Sequence, residues 1–458
     1  MDHEHLMARL SIRGRVGATL RTTFSSLHTR NFRLFFIGQT VSNTGNWLTN
    51  VALTLLVLHL TNSGFAIGLL AAVQYGPILL FSINAGAIAD RHNKRHLLFF
   101  TQSLEMVESI ALACLAFMHH PPLVALFATA AAGGTLLALD NPLRRSFVTE
   151  MVPEEDRANA VVLYSLIVNV ARIFGPALAG LLVITVGYGW CFSVDAASYL
   201  VVLVALWMMR PAELRRGVVP PRAKGEIRAG LHYVARTPNL WISCVMLGVI
   251  GLFSYNYFNV TLPLLSIRSL HGGDGTFTLL YSVFSAGAVV SALVIANKKL
   301  VQIRYVIVGA VAFGVTMMAL AFAPTTALAV PAVFIVGLAA ILYMTSTTAI
   351  VQIEADPAFH GRILALQTFL MVGTTPLGGP VLGWLGDVLG ARAPIALGGV
   401  VCLAAAGGGW IAHHVVLRRA AADASRDVDM VGNEHSHHRR FGPELPLLPE
   451  RPERDATG

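Results

Sequence analysis

Apolar runs of about twenty residues recur along this chain, and each is long enough to cross ~30 Å of hydrocarbon as a helix. Of the 458 residues, 55% are hydrophobic and only 13% are charged. Because soluble domains carry about a quarter charged residues, the composition argues against a soluble protein and predicts an all-α polytopic membrane protein. The predicted spans number twelve: 33–60, 65–89, 96–118, 121–143, 159–184, 188–209, 240–264, 275–296, 301–322, 325–349, 363–387 and 394–417.

The short links between these runs alternate in charge. Every link predicted to lie in the cytoplasm contains Lys or Arg. The links predicted to lie outside contain only two such basic residues, Arg268 and Arg392. Since basic residues in short loops resist translocation, the alternation places both termini in the cytoplasm. The net charge of +8 follows from the same bias, and no folded basic domain indicates nucleic-acid binding.

The longest internal link is basic and contains four prolines, and it divides the chain into two six-span halves. Residues 225–237 of this link are predicted to form a helix that lies on the membrane surface. The polar end of the chain predicts a disordered tail. The scattered cysteines show no metal-ligand spacing. His435, His437 and His438, with His3 and His5, could bind a metal, but short His tracts in disordered tails usually have no specific role, so neither a metal nor another cofactor is expected. The predicted domains are an N-terminal arm (1–32), a first bundle (33–209), a linker (210–239), a second bundle (240–417) and a tail (418–458).

The two halves repeat one another. Gly175-Pro176 followed by Gly180 in the fifth span is matched by Gly379-Pro380 followed by Gly383 in the eleventh. Such small residues permit close helix crossing, either as ordinary packing or as a feature of the mechanism. Duplicated six-helix halves are typical of transporters whose halves rock about a central site.

A tight charged hinge joins the second and third spans. Gly86, Asp90 and Arg91 close one run, and Lys94 and Arg95 open the next. With twelve spans and matched halves, this hinge resembles the signature of the major facilitator superfamily, over residues 30–417. Where that signature usually has Gly, this chain has Asn93, which tolerates the left-handed conformation expected of such a turn.

Three further segments, 39–47, 140–145 and 171–180, resemble the macrolide-efflux and enterobactin-exporter branch of the superfamily. The resemblance implies a non-enzymatic, monomeric protein of the bacterial inner membrane that exports drug-like or siderophore-like molecules, coupled to protons. A lipid-related or nutrient carrier and a non-transporting sensor remain alternatives. Unlike many proton-coupled antiporters of other branches, the chain shows no arginine embedded in the predicted fourth span.

The resemblance also implies a cytoplasmic latch. Asp90 is expected to meet the N-terminus of the eleventh helix, and Arg91, Lys94 or Arg95 to pair with Asp140. Such contacts close the cytoplasmic side. The alternative is a basic loop that only sets topology.

Ionisable residues inside the spans are costly in hydrocarbon and are therefore functional candidates. These are Glu105, Glu108, Arg172 and Asp195. We expect Arg172 to pair with one of the three acids, either as a fixed structural ion pair or beside a carboxyl group that carries the coupling proton.

The superfamily places helices one, four, seven and ten around the substrate cavity. Aromatic and neutral polar residues there predict a bulky amphipathic ligand, although each alone is as compatible with an interhelical hydrogen bond. No cation in these helices indicates an anionic substrate. The candidates are Gln39, Asn43, Asn46, Trp47, Asn50, Tyr255, Asn256, Tyr257, Asn259, Tyr343 and Thr345, with Gln74, Tyr75 and Tyr281 as additions.

Overall fold

The computed structural model describes residues 24–215, 226–255, 259–295, 302–356 and 359–440, and it leaves undescribed the side chains of 82–91, 226–228 and 420–440. Within these ranges the protein is helical and contains no β-strand. The first half comprises α1 (Arg30–Thr61), α2 (Gly64–Arg91), α3 (Lys94–Ala116), α4 (Leu123–Glu150), α5 (Arg157–Thr185) and α6 (Tyr188–Met208). After the linker helix α7 (Glu226–Arg236) come α8 (Pro238–Phe253), α9 (Thr261–Leu264), α10 (Asp274–Ile295), α11 (Ile303–Ala321), α12 (Thr326–Glu354), α13 (His360–Val372), α14 (Thr375–Leu389) and α15 (Ala393–Arg440).

Nine helices in the described ranges are long and apolar enough to cross a membrane, and a bent pair, Ala229–Arg236 with Pro238–Phe253, makes a tenth candidate. Each predicted span coincides with one helix or with two consecutive helices. The seventh is broken between α8 and α9, and the eleventh between α13 and α14. The all-α polytopic class is therefore confirmed, and the count of twelve spans stays a prediction.

The links alternate between two ends of the bundle, in the order that the charges predict. At the predicted outer end, the Tyr188 hydroxyl donates to Asp274 at 2.7 Å. At the other end, Lys94 lies 2.7 Å from Glu150. Which end faces the cytoplasm stays a prediction from the basic loops.

The hinge after α2 turns differently from the sequence expectation. Asn93 has φ −69°, and its side chain accepts hydrogen bonds from the backbone N–H groups of Arg95 and His96. It is thus the N-cap of α3, a position that Asn favours because its oxygen satisfies free backbone donors. The predicted left-handed turn is wrong.

The halves meet along two helix pairs, α2 with α14 and α5 with α10. On α2, Gly68 leaves no room for a side chain, because a Cβ there would lie 2.6 Å from the carbonyl carbon of Gly379. A Cβ at Gly64 would likewise lie 2.5 Å from the carbonyl oxygen of Gly383. Gly at every fourth position on both helices therefore lets the two backbones touch, as in other close membrane-helix crossings.

The linker contains a helix where the sequence predicts one, and α7 packs on the loop between α12 and α13. The Tyr233 ring stacks on Phe359 at 4.5 Å between centroids. The Tyr233 hydroxyl accepts a hydrogen bond from the Asp356 backbone N–H at 3.0 Å. These contacts attach the linker helix to the C-terminal half.

The last helix, α15, continues to Arg440, whereas the sequence predicts loss of regular structure from residue 418. The difference has a local reason, since four alanines lie between residues 420 and 424 and Ala has the highest helix propensity. Residues 441–458 lie outside the described part of the chain.

Candidate functional site

An arginine and a tryptophan face each other between α5 and α1. The guanidinium carbon of Arg172 lies 5.2 Å from the centroid of the Trp47 ring, a cation–π geometry. Gly175 lies one turn further along α5, and a Cβ at this position would collide with the Cβ of Trp47. The Gly175-Pro176 pair thus permits the close approach of α5 to α1 that positions the tryptophan.

Aromatic and amide side chains from both halves surround this arginine. Trp47 packs against Tyr281 of α10 at 6.2 Å between ring centroids. Tyr75 of α2 hydrogen-bonds with the side chains of Asn50 and Asn259. We call the whole group the Arg172 cage; it consists of Arg172, Trp47, Asn50, Tyr75, Tyr255, Asn259 and Tyr281.

The break of the seventh span lies at this cage. Between the end of α8 and the start of α9, Tyr255 and Asn259 face Tyr75. Irregular backbone at membrane depth is tolerated where it is buried in protein or lines a polar cavity. The cage therefore combines a polar lining, aromatic ring faces and one cation at the junction of the two halves.

The residues predicted to line the cavity lie in different places in the structure, and their role in substrate binding stays a prediction. The structure brings Trp47, Asn50, Tyr255 and Asn259 together, along with the additions Tyr75 and Tyr281. Asn46, Gln74 and Thr345 are partly exposed, and Asn256 and Tyr257 lie outside the described residues.

Three further candidates, Gln39 and Asn43 on α1 and Tyr343 on α12, are buried. On α1, the Asn43 side chain donates to Gln39 at 3.1 Å. On α12, Tyr343 is 2% exposed and packs on Gly309 of α11. A Cβ at Gly309 would lie 2.8 Å from the Cα of Tyr343, so the glycine permits close contact of α11 with the α12 backbone. That Tyr343 lines the substrate cavity stays a prediction.

A separate cluster of charges lies within the N-terminal half. Arg144 of α4 pairs with Asp140 one turn earlier, and its second contact is Glu105 of α3 at 3.0 Å. Thr101 and Gln102 also donate to Asp140, at 2.8 and 3.0 Å. All three charged groups are buried, and a buried ion group of this kind is stable only when it is fully paired.

This cluster corrects two sequence expectations. The apolar run of the fourth span ends at residue 143, but α4 continues to Glu150 and contains Arg144, which is 3% exposed. The fourth helix therefore does carry a buried arginine, and Asp140 pairs with it rather than with Lys94 or Arg95. Lys94 pairs with Glu150, and the Arg95 side chain donates to backbone carbonyls of α6. The side chains of Asp90 and Arg91 lie outside the described residues.

The remaining mid-span acids lie next to this ion group. Asp195 of α6 accepts hydrogen bonds from Thr49 at 2.7 Å and from Ser109 at 2.8 Å. Glu108 is partly exposed and lies near Asp195 and Ser109. We call Glu105, Glu108, Asp140, Asp195 and Arg144 the carboxyl cluster.

Arg172 forms no ion pair with these acids among the described residues, so its predicted pairing is wrong. Helical spacing places Glu105 and Glu108 on one face of α3, but the rotation of α5 relative to that face decides the pairing. The sequence offers no signal for this rotation. Arg144 is not among the ionisable residues predicted inside the spans, because the apolar run of the fourth span ends at residue 143. Thr49 is not among them, because a threonine carries no charge.

A second charged group joins the two halves at the predicted outer end. Asp387 of α14 accepts hydrogen bonds from Arg268 at 2.8 Å and from the backbone N–H of Gly64 at 2.6 Å. Arg268 also donates to the carbonyl of Asn62 in the other half. Gly180 of α5 packs against Thr278 of α10, so its small size permits a contact between the halves.

Three known transport proteins are similar to this chain in sequence. The chain is 23% identical over 383 residues to the staphyloferrin A transporter of Staphylococcus aureus, covering 81% of this chain and 94% of that protein. It is 20% identical to macrolide efflux protein A of Streptococcus pyogenes, covering 81% and 94%, and 23% identical to the enterobactin exporter EntS of Citrobacter koseri, covering 80% and 88%.

A solved structure with the same fold is a bacterial homologue of the human lysosomal transporter Spinster, in an inward-facing and unoccupied conformation. The TM-score is 0.69 at 16% identity, covering 85% of this chain and 98% of the other. The family of transmembrane secretion effectors matches residues 21–441. The chain therefore belongs to the transmembrane secretion effector family of major facilitator transporters.

Proposed function

We propose that this protein exports amphipathic small molecules across the bacterial inner membrane by alternating access, driven by the proton gradient. The observation that carries the proposal is the Arg172 cage, because both halves contribute to it. A site shared by two halves changes its exposure when the halves rock about it. The relatives named as a macrolide efflux protein and an enterobactin exporter support export as the direction.

The cage suits a ligand with both apolar and polar parts. Trp47 and Tyr281 offer ring faces for stacking, and Asn50 and Asn259 offer amide groups for hydrogen bonding. Pockets for small molecules typically combine mostly apolar walls with a few placed polar groups. Drug-like and siderophore-like molecules have this character.

The closed outer end supports an inward-facing state as the one described. Asp387, Arg268 and the glycine contacts of α2 with α14 join the halves at that end. Substrate then enters the cage from the cytoplasm. Release on the other side requires these contacts to break and the hinge around Asp90 to close the cytoplasmic side.

The carboxyl cluster is the proposed site of proton coupling. Four carboxyl groups share one described guanidinium, that of Arg144, so keeping all four ionised in a buried site is costly. Among them Glu108 is partly exposed and forms no ion pair with any described residue. We assign Glu108, with Asp195 beside it, as the group that takes up and releases the proton. Arg144, Asp140 and Glu105 form an ion group that keeps its charges during transport.

The experiment is efflux from cells loaded with a panel of fluorescent amphipathic dyes, with and without a protonophore. We expect the wild-type protein to lower dye accumulation in a protonophore-sensitive way, and the Trp47→Ala variant to lose this activity. The matched control is Trp207→Ala, since Trp207 is 74% exposed on α6 and lies outside the cage. Accumulation that is independent of energy, for every dye, would contradict export.

A further inference from the structure

Arg172 is a cation without a partner anion in the described protein. Its Nε is buried and makes no hydrogen bond to any described residue. The three acids expected to pair with Arg172 lie elsewhere. Glu105 pairs with Arg144, and Asp195 accepts from Thr49, Ser109 and Ser198. Glu108 lies against Gly133 of α4. The guanidinium instead lies over the Trp47 ring.

An unpaired guanidinium at membrane depth has a substantial free-energy cost. Cations within spans are rare, and they normally pair with an anion or with backbone carbonyls. A cation–π contact with Trp47 offsets only part of this cost, about 0.5–2 kcal/mol. The remaining donors of the planar guanidinium match a carboxylate or a similar planar oxyanion, which they bind in a bidentate manner.

The surroundings of Arg172 select the rest of the ligand. Tyr281 and Trp47 form an aromatic wall on one side, and the amide groups of Asn50 and Asn259 are held by Tyr75. No acid contributes to the cage among the described residues, so nothing there attracts a cationic ligand. The charge and the wall together match an anion attached to an apolar or aromatic body.

Resting on the export proposed above, we propose that the cage binds organic acids, with Arg172 as the group that binds the carboxylate. This corrects the expectation that no cation marks an anionic substrate. That expectation considered four cavity helices, whereas the cation lies on α5. Arg172 thereby belongs to substrate binding rather than to the proton-coupling group.

The test is equilibrium binding by the purified full-length protein in detergent, with three acid–amide pairs. The probes are 4-phenylbutyrate, naphthalene-2-carboxylate and 1-pyrenebutyrate, each against its primary amide, so that only the charge differs within a pair. We expect the acid to bind at least about tenfold more tightly than the amide in one or more pairs, as expected for a charge-assisted hydrogen-bonded contact. An acid-to-amide ratio near one in all three pairs, or no binding of any probe, would overturn the proposal.

Two variants separate the charge from the fold. Arg172→Gln is expected to weaken acid binding much more than amide binding and so bring the ratio close to one. Arg172→Lys is expected to retain an intermediate preference because it keeps the charge without the planar fork. The control is Arg304→Gln, an exposed arginine that contacts Tyr305 on α11. The assignment is contradicted if Arg172→Gln keeps the full acid preference, or if it loses affinity for the acid and the amide equally. The acid-to-amide ratio of the wild-type protein is a test that needs no variant.

Transport of the same pairs in proteoliposomes distinguishes failure of this inference from failure of the proposed function. If the protein binds the acids preferentially but exports neither the acid nor the amide, the proposed export function is contradicted and the anion-binding site still stands. A protein that exports amides as well as acids contradicts the anion site alone.

Discussion

The carboxylate of Asp387, near the end of α14, accepts a hydrogen bond from the backbone nitrogen of Gly64, the first residue of α2, at 2.6 Å. The next backbone nitrogen, that of Phe65, lies 2.9 Å from the same carboxylate. An anion at a helix N-terminus satisfies free N–H groups and the helix dipole. The sequence places another acid, Asp90, at the opposite end of α2. An acid of α14 thus caps the outer end of α2, and the sequence provides a second acid near the other end of α2.

The first prediction is that Asp387→Asn and Asp90→Asn shift the conformational equilibrium in opposite directions. Loss of the Asp387 charge weakens the outer closure, so we expect the outward-open fraction to rise. The group is partly exposed, which limits the effect to about 1 kcal/mol, or roughly fivefold. Loss of Asp90 is expected to favour the inward-open state. Electron-spin distances between labels at the exposed residues Val186 and Phe322, in a cysteine-free background, measure the outer separation.

The matched control for this experiment is Arg392→Gln, a charge at the same predicted outer end for which the structure describes no ion pair. Its distance distribution should equal that of the wild type. If Asp387→Asn leaves the distances unchanged, Asp387 is not an outer latch. If Asp90→Asn changes neither the distances nor transport, the cytoplasmic latch is refuted.

The second prediction concerns the glycine contact between the halves. Gly68→Ala places a methyl group against the backbone of Gly379 and Pro380, and a backbone neighbour has little freedom to yield. We expect the outer end to open further and transport to fall. Gly76→Ala on the same helix is the control, because nothing lies within 4 Å of its Cβ position. Equal behaviour of the two variants in the spin-label distances would show that the tight crossing has no role in closure.

The sequence predicted the fold well because two simple signals determine it. Apolar length sets each span, and basic loops set the alternation of the ends. These signals say little about broken helices. The break between α8 and α9 and the break between α13 and α14 do not interrupt the apolar runs, so the sequence predicted one continuous span in each place.

The candidate site was predicted less completely. Trp47 and Asn50 were found from composition, because polar and aromatic residues on the first helix stand out from an apolar background. The partners of Arg172 and Arg144 depend on helix rotation and tilt, which the sequence does not encode locally. Arg144 was assigned to a loop since the apolar run ends just before it, but Glu105 and Asp140 neutralise its charge and let α4 continue.

The third prediction is that Arg144→Gln severely destabilises the protein, because it leaves Asp140 and Glu105 buried without a counter-charge. Breaking a buried ion group in this way costs about 3–5 kcal/mol. Thermal unfolding of the detergent-purified protein measures the loss, and Arg145→Gln is the control since Arg145 is exposed on the same helix.

Neutralising the partners tests the cause of that loss. We expect the triple variant Arg144→Met, Asp140→Asn, Glu105→Gln to regain part of the stability, because no charge then remains in the ion group. An Arg144→Gln protein as stable as Arg145→Gln would show that the acids are already neutral or find other partners.

The last prediction is that Glu108→Gln uncouples transport from protons. Because glutamine cannot release a proton, a pH gradient across proteoliposomes should no longer drive substrate accumulation, which falls to the level of protein-free liposomes. Exchange of substrate between the two sides should persist, since the Arg172 cage is intact. Glu154→Gln is the control, as that side chain is 84% exposed at the predicted cytoplasmic end. If Glu108→Gln, Glu105→Gln and Asp195→Asn all retain gradient-driven accumulation, the carboxyl cluster does not carry the coupling proton.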